Sequence, residues 1–400
     1  MKRIALLLFL TACSDRKAPP DFERQLDSTP AGFAPVGRLA VSESYGCAVS
    51  KDGQLACWGA VPARYIGISE DAVIEYSAKT VSAPGRVRFV AVAAGLLHTC
   101  AADTGGGVWC WGRGRNGELG NEVANDSSAI PRQVRGLGRV VGIVAGRSHT
   151  CAIDFDGIVW CWGANAVGQL GTGLDGDASV PVRVATEQRF TRLAASPNGT
   201  CGLSDRGLLF CWGDLSYLGD AAGRARTPTP INLPAPLRAV DVGDAHACGI
   251  GENGSIVCWG VNRYGALGVG ASSAVNAVVD SPTAVSMSEL ATRVAAGGIT
   301  SCAVGASGKV YCWGFTGRES LLGVPADTLC QLRAPGSGCV LTPREVRTPL
   351  RFQDVVIGLG EEWRCGITVD DRIACWGRMS IDVNEPPKSE PTIIPWPPNL

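Results

Sequence analysis

Histidine is scarce in this 400-residue chain, with three copies against 17 cysteines, and no two cysteines stand at the C-x2-C spacing of a structural metal site. Zinc ligation calls for such close pairs or for neighbouring histidines, so the cysteines are not read as a zinc framework. Charge of one sign is also missing. Lys and Arg total 36 against 37 Asp and Glu, a formal net charge of −1. Recognition of nucleic acid or of an anionic membrane surface would favour a basic excess that is absent here. Neither a nucleophile elbow nor a phosphate-binding loop is found. The N-terminal apolar stretch, Ile4 to Leu10, is too short for the ~20 residues that cross a bilayer.

What the chain has instead is a repeat. Cysteines ten positions apart, the second followed by Trp-Gly, recur seven times: Cys47 and Cys57, Cys100 and Cys110, Cys151 and Cys161, Cys201 and Cys211, Cys248 and Cys258, Cys302 and Cys312, and Cys365 and Cys375. A period of roughly 50 residues means units that bury their apolar faces against one another. Cys330 and Cys339 form an eighth pair inside an insertion at about 319–342, which leaves Cys13 alone. An even set at regular spacing predicts disulfides and an oxidising compartment. Each short loop so closed is worth roughly 3 kcal/mol in chain entropy.

Within a unit, short β-branched and aromatic segments bounded by Gly, Pro or Asp read as four strands. A turn residue lies midway between the two cysteines: Gly53, Gly106, Gly157, Gly207, Gly254 and Gly308, with Asp371 in the seventh copy. That column predicts a tight hairpin that sets the cysteines opposite each other. Side-chain alternation puts the disulfide on one face of the unit and the Trp of Trp-Gly on the other. Another column, Gly95, Gly146, Gly243, Gly297 and Gly360 with Ser42 and Ser196, calls for small volume near an axis. The predicted fold class is all-β: one seven-bladed propeller of four-stranded antiparallel sheets over residues 36–395, with a tail at 396–400. The short step from Val134 to Val140 reads as a hairpin, so a blade is taken to open at Pro84, Pro131, Pro181, Pro228, Pro282 or Pro343. On that phase, the strand Pro391 to Ile394 completes the first blade beside residues 36–41, the alternative being that it forms the outer edge of the last blade beside Arg372 to Trp376.

The segments His98 to Ala101, His149 to Ala152, Val159 to Gly163 and Gly168 to Gly171 resemble the repeat of the regulator of chromosome condensation family. The resemblance runs through nearly all of residues 36–395 and implies a seven-bladed propeller. Members include nucleotide exchange factors, a plant ultraviolet receptor and a secreted bacterial inhibitor of β-lactamases, so the scaffold does not select an activity. At the N-terminus, Lys2 and Arg3, the apolar run and Leu10-Thr11-Ala12-Cys13 resemble a bacterial lipoprotein signal. That resemblance implies cleavage after residue 12, lipid on Cys13, a tether over residues 13–35 and, from Ser14, the outer membrane of a bacterial envelope.

His98, His149 and His246 stand two residues before the first cysteine of their units, where the others have Tyr45, Gly199, Thr300 and Trp363. A position open to so many side chains is a framework site rather than a metal ring or general base. Asp175 and Asp177 resemble a fragment of a calcium loop and read as a turn. Arg and Tyr on loops of a rigid scaffold suit recognition of a protein or other macromolecule. The candidate contact residues, all in loops after Trp-Gly, are Arg113, Arg115, Tyr217, Arg263, Tyr264, Phe315 and Arg318. The expectation is a non-catalytic, monomeric binding lipoprotein without cofactor, metal or nucleic-acid partner. An extracytoplasmic propeller enzyme or an enzyme inhibitor is the alternative.

Overall fold

The computed structural model describes residues 37–59, 67, 75–215, 223–270, 277–317, 321–329, 338–360, 363–378 and 388–397. Its strands form seven antiparallel sheets, one per repeat. Blade 1 holds β1 (Leu39–Val41), β2 (Tyr45–Val49), β3 (Leu55–Gly59) and β4 (Glu75–Val81). Blade 2 holds β5 (Phe89–Ala94), β6 (His98–Asp103), β7 (Val108–Gly114) and β8 (Asp126–Val134). In blade 3 the strands are β9 (Val140–Ala145), β10 (His149–Asp154), β11 (Val159–Gly163) and β12 (Ala178–Arg183). Blade 4 consists of β13 (Phe190–Ala195), β14 (Gly199–Ser204), β15 (Leu209–Asp214) and β16 (Arg224–Ile231). Next comes blade 5, with β17 (Leu237–Val242), β18 (His246–Gly251), β19 (Ile256–Val261) and β20 (Val278–Val285). Blade 6 has β21 (Ala291–Gly297), β22 (Thr300–Gly305), β23 (Val310–Gly317) and β25 (Gly338–Glu345), and the insertion adds the short β24 (Thr328–Leu329) outside β25. Blade 7 is β26 (Phe352–Ile357), β27 (Trp363–Thr368), β28 (Ile373–Gly377) and β29 (Lys388–Ile394).

The second and third strands of every blade pair so that the two cysteines face each other, as Cys151 faces Cys161. Seven disulfides form within hairpins at Cα separations of 4.0–4.1 Å. Cys339 is also disulfide-bonded, while Cys330, the partner read from the sequence, lies outside the described residues. The indole of each Trp-Gly is buried, which at about 25 cal/mol per Å² of apolar area is worth roughly 4–6 kcal/mol per ring.

Two expectations are corrected. Strand β29 pairs with β28, Cys375 opposite Thr392 and Ile373 opposite Ile394, so it is the outer edge of blade 7 and does not complete blade 1. Blade 1 has its own outer strand, β4, paired with β3. The blade phase follows: Pro131, Pro181, Pro228, Pro282 and Pro343 lie within the outer strands β8, β12, β16, β20 and β25 rather than opening a new blade. Apart from β25, which β24 covers only at Gly338 and Cys339, these are edge strands, and at each of these prolines a missing N–H leaves no ladder bond broken. Pro84 lies in the link after β4. Loop length misleads here because a five-residue extended link, such as residues 135–139, can reach up to ~17 Å. That is enough to cross the blade from rim to axis, whereas the longer segment from Gly163 to Ala178 closes a hairpin.

Closure is therefore made by side chains. In six blades the hairpin-turn carbonyl accepts from the first strand of the next blade, as Gly106 O does from Val140 N at 3.0 Å and Gly308 O from Phe352 N at 2.7 Å. At the last seam the turn residue is Asp371, and its carboxylate pairs with the Arg38 guanidinium of blade 1. Trp363 of blade 7 also donates its Nε1–H to Ser42 O of blade 1 at 3.0 Å. Deleting the residues after Pro387 is expected to raise amide exchange along β28 at Ile373–Cys375 while Leu39–Val41 keeps its protection. Loss of protection in β1 without loss in β28 would restore the strand-exchange closure.

Candidate functional site

The histidines come first, because they carry the enzymatic alternative raised by the sequence. His98 Nε2 lies 2.9 Å from Thr150 Oγ1, His149 Nε2 2.9 Å from Thr200 Oγ1, and His246 Nε2 2.7 Å from Ser301 Oγ. Each imidazole thus reaches the hydroxyl just before the first cysteine of the next blade. Thr200 Oγ1 donates onward to Gln169 O at 3.1 Å and Ser301 Oγ to Ala266 O at 2.9 Å, so His149 and His246 donate through Nε2–H. Tyr45 plays the same part in blade 1: its Oη accepts from Thr99 Oγ1 at 3.0 Å and donates to His98 O at 2.6 Å. In blade 6, Thr300 Oγ1 accepts from the buried Arg364 of blade 7 at 3.4 Å. The glycine column before these residues is small for the same reason, since a Cβ on Gly146 would stand 2.2 Å from His149 Cε1.

Burial holds all three imidazoles neutral, pushing His98 down to about 3, with a further push from His149, and His149 and His246 down to about 4. A ring sealed from solvent and bonded to its neighbour serves as a clamp between blades, not as a general base open to substrate.

The loops after Trp-Gly and the short loops between first and second strands share one end of the ring, the loop face, because connections alternate sides in an antiparallel meander. Among the described residues, the long loops of blades 1, 2, 3, 5 and 6 rest on the Trp of the next blade. Gly171, at φ +67, would place a Cβ 2.8 Å from the Trp212 ring, and Leu119, Leu170, Leu267 and Leu322 are fully buried. Trp162 and Trp313 donate Nε1–H to Glu118 O at 2.9 Å and Ala266 O at 2.8 Å of the preceding blade. Asp175 pairs with Arg226 at 3.0 Å, and Asp177 accepts from Asn116 Nδ2 at 2.7 Å and Asn165 N at 2.9 Å, so both acids brace the loop.

Of the residues singled out from sequence, Arg115 and Arg263 are exposed on this face, and Arg113 is half-buried. Tyr264 and Phe315 are buried instead, ring centroids 5.1 Å apart, in a cluster with Ile299 and Cys339. Their rings brace the blade 6 insertion and are not open to a partner. Tyr217 and Arg318 lie outside the described residues.

Sequence reading passed over the charges nearer the axis. Glu43 and Arg147 pair at 3.1 Å across blades 1 and 3 on the loop face. Asp244 is also on this face, its carboxyl raised to about 6 by burial and then by Glu43. Inside lies a channel of about 260 Å³ whose walls include Arg192, Asp241, Arg293 and Asp354. Their signal was in the repeat alignment: Arg192, Arg293 and Asp354 occupy the column filled by Ala91, Gly142 and Ala239 in other blades.

Replacing His149 with Gln should lower stability at pH 7.5 by about 1–3 kcal/mol, from the weakened bond and the imperfect fill. The wild-type His149 is neutral when folded and titrates near 6.5 when unfolded, so its contribution holds above pH 6.5 and is lost as pH falls toward 4. His149→Gln should therefore flatten the stability profile over that window by about 1.4 kcal/mol per pH unit. Urea titrations across that window test it, and an unchanged slope would mean the imidazole is not buried neutral.

Comparison with known proteins agrees with this architecture. The curated relatives match over part of their length. Human HERC3, a probable E3 ubiquitin-protein ligase, is 32% identical over 160 residues, which is 39% of this chain and 15% of that protein. The ultraviolet-B receptor UVR8 of Arabidopsis thaliana is 29% identical over 150 residues, 36% of this chain and 33% of that one. Among solved structures, Prp20p of Saccharomyces cerevisiae superposes with a TM-score of 0.74 at 21% identity, covering 87% of each chain. Human WBSCR16 gives 0.69 at 21% identity, covering 80% of this chain and 84% of that one. These structures share the fold. The family model of the RCC1-like domain matches residues 79–382, three quarters of the chain, and the chain belongs to that family.

Proposed function

We propose that this protein is an envelope lipoprotein, anchored through lipid on Cys13, whose propeller binds a protein partner through its loop face without turnover. The observation that carries the reading is the bracing of the loop face: its long loops are pinned to the next blade by buried leucines and glycine–indole contacts, yet they leave Arg115 and Arg263 exposed. Loops held rigid before binding lose little entropy on binding. Arginine is enriched among the residues that dominate protein interfaces. The relative Prp20p is described by its binding to Gsp1p and histones, which supports a protein as partner and leaves its identity open. Seven hairpin disulfides support an oxidising compartment. The signal-like segment and Cys13 lie outside the described residues, and the anchor rests on their sequence alone.

Two experiments separate the parts of this reading. Arg115→Glu with Arg263→Glu should weaken capture of envelope proteins by the purified chain at least tenfold while the melting temperature stays within about 2 °C, as expected of exposed sites. Equal capture by the double variant would move binding off this face. Cys13→Ser should shift the protein from the membrane to the soluble fraction or leave an unprocessed precursor, since a lipid chain is the proposed membrane attachment. Membrane retention of the processed variant after a high-salt wash would refute the anchor.

A further inference from the structure

The channel runs between two unlike ends, and the end opposite the loop face carries an imbalance that the fold does not resolve. Each of the inner strands of blades 2 to 7 has a register shift near its start, as between Phe190 and Arg192, Leu237 and Ala239, or Ala291 and Arg293. Such bulges re-aim the side chain that follows. In blade 4 that side chain is Arg192 and in blade 6 it is Arg293, both lining the channel, while Arg238 occupies the bulge of blade 5 between them.

The carboxylates along the channel and at its turn end are already engaged. Asp241 accepts from Val242 N at 3.0 Å and from Ala296 N of the next blade at 2.9 Å. Asp354 accepts from Val355 N at 3.0 Å and stands 3.9 Å from Arg293. Asp371 is taken by Arg38. Arg192 makes neither an ion pair nor a hydrogen bond among the described residues, while Arg238 donates through Nη2–H to Ala291 O and leaves its buried Nε without an acceptor. Burial, and then the positive charges of Arg293 and Arg238, press the Arg192 guanidinium below the ordinary arginine range.

We propose that this end of the channel binds a carboxylate, seated on the Arg192 guanidinium in the field of Arg238 and Arg293. An arginine fork matches the two oxygens of a carboxylate, and an anion there would offset the repulsion among three neighbouring cations. The Asp354 carboxylate, 3.9 Å from Arg293, adds negative charge beside these cations and disfavours a dianionic phosphate. At ~30 Å³ per water-sized group, the cavity has room for a molecule of about eight non-hydrogen atoms, the size of a small dicarboxylic acid. A free acid and an acidic side chain inserted by a peptide share this chemistry. The site is independent of the loop-face reading, being at the opposite end of the ring.

Calorimetric titration of the full chain in detergent with succinate, with a tri-glutamate peptide and with inorganic phosphate tests the assignment. Saturable one-to-one binding of succinate or of the peptide is expected, weakened at least tenfold by Arg192→Gln and unchanged by Arg115→Glu. Tighter binding of succinate identifies a free small acid as the source, and tighter binding of the peptide identifies an acidic segment. Without ligand, Arg192→Gln should also raise the melting temperature, because it relieves repulsion. Absence of saturation by either carboxylate up to about 10 mM, equal affinity in the variant, tighter binding of phosphate, or a melting temperature lowered by Arg192→Gln would each overturn the proposal.

Discussion

Everything in this propeller depends on how one blade grips the next without sharing a strand. A single four-stranded sheet cannot bury both its faces, so the ring holds only if every seam excludes water along its height. Three contacts do this. At the loop face, the indole of Trp-Gly lies under a left-handed glycine of the preceding blade, as Trp212 lies under Gly171. At mid-height, in every blade but the fourth, where the position is Gly199, the side chain two residues before the first cysteine contacts the following blade, as His98 reaches Thr150 at 2.9 Å. At the turn face, the hairpin carbonyl accepts from the next inner strand, as Gly53 O does from Phe89 N at 2.9 Å. The disulfides act inside a blade and cannot join two of them. They limit the freedom of each unfolded hairpin and stiffen the wall that the clamps then connect.

The seam between blades 7 and 1 obeys the same geometry with different chemistry. Trp363 stands where other blades have His, Tyr, Gly or Thr, and its indole donates to the backbone of blade 1. Asp371 takes the left-handed turn position, at φ 65, that glycine holds elsewhere, and its carboxylate reaches Arg38. Polar side chains at this one seam replace the covalent continuity that links every other pair of blades. Closure is thereby left to groups whose strength depends on salt and on partial burial.

Much of this was legible in the sequence because it was written in register. Cysteine spacing, the midpoint glycine and the trailing Trp-Gly each repeat at one offset, so strand pairing in the two middle strands followed from the hairpin alone. Blade phase did not follow, because a radial link of five residues and a tight hairpin have the same length in sequence. The outer strand β4 was missed because it lacks the proline that marks its counterparts. Tyr264 and Phe315 were misplaced for a related reason: an aromatic ring in a glycine-rich loop reads as exposed until the insertion bearing Cys339 is folded over it. The channel charges were readable in principle, as departures from a column of small residues, but recurrence draws the eye to agreement and they are disagreements.

Such departures carry the most information in a repeat protein, since the framework requirement at each column is known from the other copies. Two arginines of this chain show the distinction. Arg364 is fully buried in place of the Gly, Ala, Ser or Thr of other blades, but it donates to Leu321 O at 2.8 Å and to Thr300, so the structure uses it as another clamp. Arg192 replaces an alanine or glycine that would serve packing at least as well, and it brings a charge beside two like charges with no carboxylate of its own. Partly burying an unpaired cation costs stability that a small apolar residue at the same place would not. A cost that packing does not require is what a binding site looks like before its ligand arrives.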